Sequence, residues 1–274
     1  MKIGVFFTLG KDNCYEEFEK VKDFGMTTCQ LNCWNKLLFT DEMAAVVNDA
    51  SAKTGVTVSS LWVGWEGPAY WNFYEGPGSL GIVPESYRYE RLKMLAMGSD
   101  FAKKINVKNV VTHVGYIPEN PNDPNFNGLV IAVRYIANHC KANGQYFLFE
   151  TGQETPVTLL RTIEDSGCDN LGVNLDTANL ILYGKANPVD ALDVIGKYVR
   201  GTHMKDGLYP TTGREIGKEV PMGQGRVDFK ALVRRLKEIG YDGPLTIERE
   251  ISGPKQIEDI RMAKALLEDC LKEC

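Results

Sequence analysis

Four side chains that can bind a metal ion or carry protons lie at or near the ends of four consecutive apolar segments. The segments read QYFLFE, LGVNLD, VRGTHM and PLTIE, and the residues are Glu150, Asp176, His203 and Glu248. A buried, unpaired carboxylate is costly, so each of these acidic residues needs a compensating cation. Three carboxylates and one imidazole suit Mn²⁺ or Mg²⁺ and also accept Co²⁺ or Zn²⁺. The set predicts one divalent metal ion.

The alternation of residues within these segments indicates that the four side chains point to the same end of one sheet. Glu150 shares a face with Leu148, whereas Phe147 and Phe149 occupy the other face, which is the period of a strand. Both faces carry apolar residues, as is typical of a parallel sheet covered on both sides. In the other three segments the same phase turns the candidate ligand inward and its apolar neighbours outward.

Strand and helix patterns alternate eight times along the 274 residues. We predict strands at 2–8, 27–32, 56–63, 108–113, 145–150, 171–176, 199–205 and 244–249, and helices at 15–24, 41–54, 85–105, 126–143, 156–166, 188–197, 228–239 and 254–271. This count predicts an α/β fold, a single (β/α)8 TIM barrel spanning residues 1–274. A doubly wound open sheet is the alternative, but no GxGxxG follows the first strand. In such a barrel the active groups lie at the carboxyl ends of the strands.

Composition and charge exclude several classes of protein. The formal net charge of −5 disfavours a nucleic-acid partner, because phosphate binding relies on an excess of Lys and Arg. No run of about 18 apolar residues predicts a membrane span, and the first residues already follow a strand pattern without a leader. The seven cysteines form no CxxC pair, which favours free thiols and a cytoplasmic protein. Assembly into a homo-oligomer is left open.

An aromatic insertion at about 64–84, reading GWEGPAYWNFYEGPGSLGIVP, follows the third strand. It is too long for an ordinary connection, and barrels place binding loops at this end of the strands. We expect Trp65, Trp71 and Phe73 to form a lid or wall over the site, and Trp65 and Trp71 to contact the substrate. A packed loop or one that contacts another subunit is the alternative.

Five segments carry a resemblance to a known family. They read FETGQET, GVNLDTANLILYG, GTHMKDG, EVPMGQGRVDF and GPLTIEREI. These resemble the xylose isomerase-like TIM-barrel superfamily, particularly its sugar phosphate isomerase/epimerase branch, which includes ketose 3-epimerases, hydroxypyruvate isomerases and inosose dehydratases. The resemblance implies a small-molecule sugar substrate and one divalent metal ion on Glu150, Asp176, His203 and Glu248. It also implies that Glu150 and Glu248 are catalytic and move protons.

The chemistry of such a site explains why a metal ion and two carboxylates are enough to move a proton of a sugar. A metal ion that polarises a ketose carbonyl acidifies the neighbouring C–H, and two carboxylates can then remove and return the proton. Return to the opposite face is epimerisation, return to the adjacent carbon is isomerisation, and loss of a β-hydroxyl is dehydration. We favour an isomerase or epimerase acting on a ketose or related sugar, phosphorylated or not. An inosose dehydratase-like lyase on the same site is the alternative.

Three further residues are candidates for substrate binding. His113 ends the fourth strand and resembles the substrate-contacting histidine of the superfamily; a structural histidine is the alternative. Lys205 shares the phase of His203 and can donate to a substrate oxygen, unless it simply reaches solvent. Asn179 lies where the 3-epimerases carry a substrate-contacting histidine, a departure that weakens the specific case for that activity.

Two other functions are disfavoured. A DNA-repair nuclease like endonuclease IV needs a histidine-rich trinuclear zinc site, but the chain has only His113, His139 and His203. A non-catalytic sugar-binding scaffold does not need the complete ligand set. The remaining cations of interest are loop residues that either hold an anionic group or are merely solvated: Arg214, Lys218 and Arg226.

Overall fold

Eight parallel strands close into a barrel in the computed structural model, which describes residues 1–273. The barrel strands are β1 Ile3–Thr8, β2 Thr28–Cys33, β3 Thr57–Val63, β4 Asn109–Thr112, β5 Tyr146–Glu150, β6 Leu171–Asp176, β7 Val199–Met204 and β10 Leu245–Ile247. Their order around the barrel is β1-β10-β7-β6-β5-β4-β3-β2. The predicted (β/α)8 class is confirmed, and each predicted strand boundary lies within two residues of the observed one.

Helices cover the outside of the barrel. They are α1 Cys14–Asp23, α2 Asp41–Thr54, α3 Gly76–Ser79, α4 Glu85–Lys104, α5 Pro124–Ala142, α6 Pro156–Ser166, α7 Asn179–Leu182, α8 Pro188–Ile195, α9 Phe229–Glu238 and α10 Pro254–Glu273. Helix α5 begins two residues before its predicted start, because Asp123 caps it by accepting a hydrogen bond from the Asn125 N–H (2.8 Å). Helices α2 and α6 end at the left-handed glycines Gly55 and Gly167.

The sequence patterns did not predict several short elements. These are α3 and α7, two 3₁₀ helices at Lys36–Leu38 and Gly196–Tyr198, and a two-stranded antiparallel hairpin formed by β8 Asp206–Gly207 and β9 Glu219–Val220. Such elements are too short to show a period of their own. The hairpin, α3 and α7 all belong to connections that leave the carboxyl ends of barrel strands.

Two apolar layers confirm the predicted alternation of the strands. Phe147, Phe149 and Val173 belong to the large core between strands and helices. Leu148 points the other way, into a small interior cluster with Trp62. Much of the remaining barrel interior is polar and buried, including Gln30, Asn174 and Thr246. The fold therefore provides a polar floor beneath the carboxyl ends of the strands.

Within residues 1–273, no helix is both long and apolar enough to cross a membrane. Cys14, Cys29, Cys33, Cys140 and Cys168 are free thiols, as the cysteine spacing predicted. Burial raises the pKa of the Cys14 and Cys33 thiols to about 11, so both are inert at neutral pH. Cys274, the seventh cysteine, lies outside the described residues.

Candidate metal centre

The carboxyl end of the barrel holds a buried cluster of four side chains. Glu150 and Asp176 are the last residues of β5 and β6. His203 lies one residue before the end of β7, and Glu248 directly follows β10. Asp176 pairs with His203 in the register of β6 and β7, which places their side chains at one level. One ligand atom from each of the four residues lies within 4.8 Å of the others. The structure thus brings the four predicted ligands together.

The donor atoms of this cluster fit a divalent cation. His203 Nδ1 lies 3.0 Å from Glu150 Oε1, 3.2 Å from Glu248 Oε2 and 3.7 Å from Asp176 Oδ2. Both Asp176 Oδ2 and Glu248 Oε2 are buried and accept no hydrogen bond from the described residues. Buried carboxylate oxygens of this kind are normally paired or coordinate a metal ion. The geometry therefore matches a three-carboxylate, one-imidazole site of the kind that suits Mg²⁺ or Mn²⁺.

The charges of the cluster alter the pKa values of its members. Burial raises the pKa of Asp176 to about 7, although the nearby Lys205 ammonium opposes the shift. Burial lowers the pKa of His203, but the carboxylates of Glu248 and Glu150 raise it by more, so the net pKa lies well above its ordinary value. The imidazolium proton thus supplies positive charge at the place where a cation fits. Because a metal ligand must be deprotonated, metal binding releases this proton.

Two buried side chains outside the cluster fix its orientation, and sequence reasoning missed both. Gln30, in β2, accepts a hydrogen bond from His203 Nε2 through Oε1 and donates to Asn174 Oδ1 through Nε2 (3.3 Å). This contact places the proton on Nε2 and leaves His203 Nδ1 facing the carboxylates. Trp62, in β3, donates its indole N–H to Glu150 Oε2. Gln30 could have been found from the sequence, because it is a polar residue in the middle of a strand and has the phase of an inward-facing position.

Lys205 is buried beside the cluster. Its Nζ is 3.0 Å from Glu250, 3.3 Å from Glu248 and 3.7 Å from Asp176, and it is 3.5 Å from Asn179 Oδ1. Burial lowers the pKa of Lys205, but Glu248 and the other carboxylates raise it by more, to well above its ordinary value. For Glu248, burial raises the pKa, but Lys205 and His203 lower it by more. Lys205 is therefore a permanent ammonium beside the ionised Glu248.

His113 and Asn179 lie beside Glu150 and Asp176. His113 Nε2 is 3.4 Å from Glu150 Oε1 and 3.5 Å from Asn179 Nδ2. The Asn179 backbone N–H donates to Asp176 Oδ1 (2.7 Å), which holds that ligand in place. His113 Nδ1 is buried and makes no hydrogen bond with the described residues. Burial lowers the pKa of His113, so its imidazole is neutral.

The four tryptophans of the chain form one stack beside the cluster. Ring centroids lie 5.1 Å apart for Trp34 and Trp62, 5.0 Å for Trp34 and Trp65, and 6.2 Å for Trp65 and Trp71. The Trp71 ring also lies 5.3 Å from the His113 ring. Trp71 is 37% exposed and lines the cavity described below, whereas Trp65 is 4% exposed and lies behind it. Contact between Trp65 and a substrate therefore stays a prediction.

Arg91, a buried residue of α4, holds the aromatic insertion in place. Its guanidinium donates to the carbonyls of Ser79 (2.7 Å), Gly81 (2.6 Å) and Pro68 (2.9 Å). It also stacks over Trp65, with its central carbon 5.2 Å from the ring centroid. Three backbone carbonyls of the insertion are thus tied to one side chain, and the segment forms a wall with a fixed shape. Sequence reasoning missed this residue as well.

A cavity of about 930 Å³ opens above the cluster. Glu150, Glu248 and His113 line its inner end, and Trp34, Trp62 and Trp71 line one side. The cavity also includes a space between α1 and α10 on the outer face of β1, where Val5, Phe7 and Ile260 line it. It has the size and the mostly apolar lining, with a few convergent polar groups, that is typical of small-molecule sites.

Comparison with known proteins places the chain in a family. A family model described as "Xylose isomerase-like TIM barrel" matches residues 18–270. The crystal structure of a xylose isomerase domain protein from Planctomyces limnophilus is 34% identical, with a TM-score of 0.93 over 99% of this chain and 98% of that chain. Escherichia coli YcjR, described as 3-keto-D-glucoside 4-epimerase, is 19% identical, with a TM-score of 0.74 over 98% of this chain and 100% of that one.

Other proteins are similar over part of the chain or in fold alone. The uncharacterized protein MJ1311 of Methanocaldococcus jannaschii is 31% identical over 183 residues, which span 62% of this chain and 59% of that protein. A Mycobacterium smegmatis xylose isomerase-like TIM-barrel protein in complex with magnesium is 19% identical, with a TM-score of 0.68 over 94% of this chain and 89% of that one. The family model and the 34% identical structure settle the assignment. This chain belongs to the xylose isomerase-like TIM-barrel family.

Proposed function

We propose that the protein is a divalent-metal-dependent isomerase or epimerase that transfers an α-proton of a ketose or related sugar. The observation that carries this proposal is the buried group of Glu150, Asp176, His203 and Glu248 at the inner end of the cavity. The E. coli relative named as a 3-keto-D-glucoside 4-epimerase has the same fold and supports the reaction class.

The positions of the two glutamates on separate strands support their acting on different faces of a substrate. Glu150 ends β5, and Glu248 follows β10, which is three places away around the barrel. Their carboxylates therefore approach the centre of the cluster from different directions. A divalent ion bound there would polarise the substrate carbonyl and so acidify the adjacent C–H. One glutamate then removes the proton, and the other returns it to the opposite face or to the adjacent carbon.

The polar surroundings of the two carboxylates differ. Glu150 Oε2 accepts the Trp62 indole N–H, whereas Glu248 Oε2 accepts no hydrogen bond from the described residues. The position of Lys205 Nζ, 3.3 Å from Glu248 Oε2, supports a role for this ammonium in donating to a substrate oxygen near Glu248. The position of His113 Nε2, 3.4 Å from Glu150 Oε1 and at the wall of the cavity, supports a role in binding a substrate hydroxyl.

The proposed cofactor is one Mg²⁺ or Mn²⁺ ion. The mostly oxygen donor set supports this choice, and the M. smegmatis relative is described in complex with magnesium. Metal analysis of the purified protein should find one ion per chain. A Glu150→Ala, Asp176→Ala double variant should lose it, whereas a Glu119→Ala, Asp169→Ala control, which removes two exposed carboxylates, should keep it. Full occupancy in the first variant rules out this site.

Solvent exchange tests the reaction. The Mn²⁺-loaded protein is incubated with a panel of ketoses, keto-glycosides and cyclitol ketones in D₂O and followed by NMR and mass spectrometry. Deuterium at an α-carbon without loss of water supports the isomerase or epimerase. Loss of water from a substrate would instead support the dehydratase-like lyase. The Glu248→Gln variant serves as the negative control. If no compound in the panel exchanges a proton, the result contradicts the proposal.

A further inference from the structure

The buried ammonium of Lys205 contacts two glutamates of the segment that follows β10. Its Nζ lies 3.3 Å from Glu248 Oε2 and 3.0 Å from Glu250 Oε2. The two glutamates are two residues apart, the spacing that places side chains on the same side of an extended chain. The Glu248 side chain is 7% exposed, whereas the Glu250 side chain is 59% exposed. Lys205 thus has one buried counterion and one that is largely in solvent.

The buried contacts of Lys205 are made to oxygens of the candidate metal centre. Nζ lies 3.3 Å from Glu248 Oε2 and 3.7 Å from Asp176 Oδ2. These are the same two oxygens that face His203 Nδ1 within the cluster. A divalent ion held by the two carboxylates would therefore share them with the ammonium.

The charges of the site make this sharing unfavourable for Lys205. The three carboxylates of the cluster are buried together with the ammonium, and a coordinating imidazole is neutral. A divalent ion and the ammonium together balance the three negative charges. The two cations nevertheless repel each other, because both lie against the same carboxylates in a buried site of low dielectric constant. The ammonium therefore needs a counterion that does not bind the ion.

Glu250 is suited to be this counterion. Among the carboxylates paired with Lys205 within residues 1–273, only Glu250 lies outside the cluster. The remaining contact of Nζ is the neutral amide oxygen of Asn179, at 3.5 Å. Glu250 thus provides the negative charge that stays with Lys205 when the cluster binds a cation.

Hydrogen bonds from two sides hold the backbone that carries Glu250. Its N–H donates to the carboxylate of Glu219 in β9, at 3.2 and 3.3 Å from the two oxygens. The preceding residue, Arg249, pairs with the same Glu219 and with Asp259 of α10, both at 2.9 Å. The Gln256 side chain donates to the Arg249 carbonyl (2.9 Å). An exposed ion pair is ordinarily weak, but these contacts keep Glu250 next to Lys205.

The contacts of Lys205 place its ammonium in the wall of the cavity. Glu248, Glu250 and Asn179 all line the cavity. An ammonium has three N–H donors. If Glu250 and Asn179 accept two of them, the third is left for a substrate oxygen.

From these contacts we infer that Glu250 is the positioning residue for Lys205. Its carboxylate retains the ammonium in the cavity wall, so that Glu248 and Asp176 are left to the divalent ion. Without Glu250, the ammonium has only these two carboxylates and competes with the ion for them. This inference rests on the proposed function, because it concerns a divalent ion on the cluster, and it assigns a role at that site to a further residue.

Metal affinity tests the inference without the need for a substrate. Protein stripped of metal by a chelator is titrated with Mn²⁺ in a calorimeter. We expect Glu250→Gln to bind Mn²⁺ at least tenfold more weakly than the parent, and Glu250→Asp, which keeps the carboxylate, to lose less than threefold. Glu258→Gln removes the same charge from an exposed residue that pairs with Lys255 and does not line the cavity. This control should stay within twofold of the parent.

A double-mutant cycle separates positioning of Lys205 from simple attraction of the ion by Glu250. Lys205→Met removes the competing ammonium and should raise the affinity for Mn²⁺. In the Lys205→Met background, Glu250→Gln should then change the affinity by less than threefold. If Glu250 only attracts the ion, the tenfold loss appears in both backgrounds and the inference is wrong. Lys205→Gln repeats the cycle with a polar residue, and circular dichroism shows that each variant is folded.

Failure of this inference is distinguishable from failure of the proposed function. A parent protein that binds no Mn²⁺ contradicts both. A parent that binds Mn²⁺, with a Glu250→Gln variant that binds it equally well, overturns only the role of Glu250.

Discussion

Replacement of Gln30 by methionine tests whether the metal site depends on the orientation of His203. Methionine has a similar length but provides no oxygen acceptor. The change removes the partner of His203 Nε2 and the donor to Asn174 Oδ1, both of which are buried. His203 is then free to rotate or to place its proton on Nδ1, the atom that lies 3.0 to 3.7 Å from the three carboxylates.

The expected loss is tenfold to a hundredfold in metal affinity, the usual effect of removing a side chain that orients a metal ligand. It corresponds to about 1.4–2.8 kcal/mol. Calorimetric titration of the metal-free variant with Mn²⁺ measures it, and Gln30→Glu, which keeps an acceptor oxygen, should recover part of the affinity. The visible spectrum of the Co²⁺-loaded variant should also change, since the coordinating nitrogen is no longer held.

The matched control is Gln145→Met. Gln145 is also buried and donates to the carbonyls of Ser99 (3.0 Å) and Val107 (3.2 Å), but it lies at the amino end of β5, away from the cluster. We expect it to lower the free energy of unfolding by about 1–3 kcal/mol and to leave metal affinity within twofold. If Gln30→Met binds Mn²⁺ as tightly as the parent, Gln30 does not orient the metal ligand.

Three further predictions concern catalysis, the aromatic wall and pH. Glu248→Gln, with metal confirmed present, should slow α-proton exchange by about 10²- to 10⁴-fold, as expected for loss of a general base. Trp71→Ala should raise KM or lower kcat without unfolding the barrel, because Trp71 lines the cavity, whereas Trp65→Ala should also cost about 3–5 kcal/mol of stability as a buried residue. Burial raises the pKa of Glu154 to about 8, so its protonated form is stabilised in the folded state. Stability from this group is full below its unfolded pKa and falls as pH rises toward 8, by about 1.4 kcal/mol per pH unit. Glu154→Gln should therefore gain stability over the parent between pH 5 and pH 8.

These three predictions have distinct readouts. Exchange at the parent rate in Glu248→Gln would make Glu248 a ligand only and shift attention to Lys205 or His113. Unchanged kinetics of the Trp71→Ala variant would show that the aromatic wall has no role in the reaction. For Glu154, urea unfolding at pH 5, 6.5 and 8 compares variant and parent, and a difference that does not change with pH contradicts the raised pKa.

The sequence predicted the fold and the grouping of the four candidate ligands because both depend on local periodicity. Alternation of period two fixed the face of each strand, and the four ligands followed from that face. The contacts that sequence could not provide are those between distant strands. The hydrogen bond between Gln30 and His203 joins residues 173 positions apart, and the one between Trp62 and Glu150 joins residues 88 apart. No local pattern specifies which polar residue meets which ligand in the barrel interior.

The tryptophan stack shows the same limit. Gly64 allows the tryptophan rings to pack together, since a Cβ at this position would overlap the Trp34 ring. A glycine between two tryptophan-bearing segments is visible in the sequence, but the ring that needs the space comes from the preceding strand connection. The short hairpin of β8 and β9 was missed for a similar reason: Asp206 accepts hydrogen bonds from the backbone N–H groups of Gly223, Gly225 and Val227.

The hydrogen bonds that Arg91 donates to the aromatic insertion have a consequence for protein engineering. The carbonyls of Pro68, Ser79 and Gly81 converge on a side chain that belongs to α4, outside the insertion itself. An attempt to transplant residues 64–84 into another barrel would leave these carbonyls without a donor unless an arginine came with them. The transferable module is therefore the insertion together with the first two turns of α4, and Arg91→Met should make the insertion susceptible to limited proteolysis.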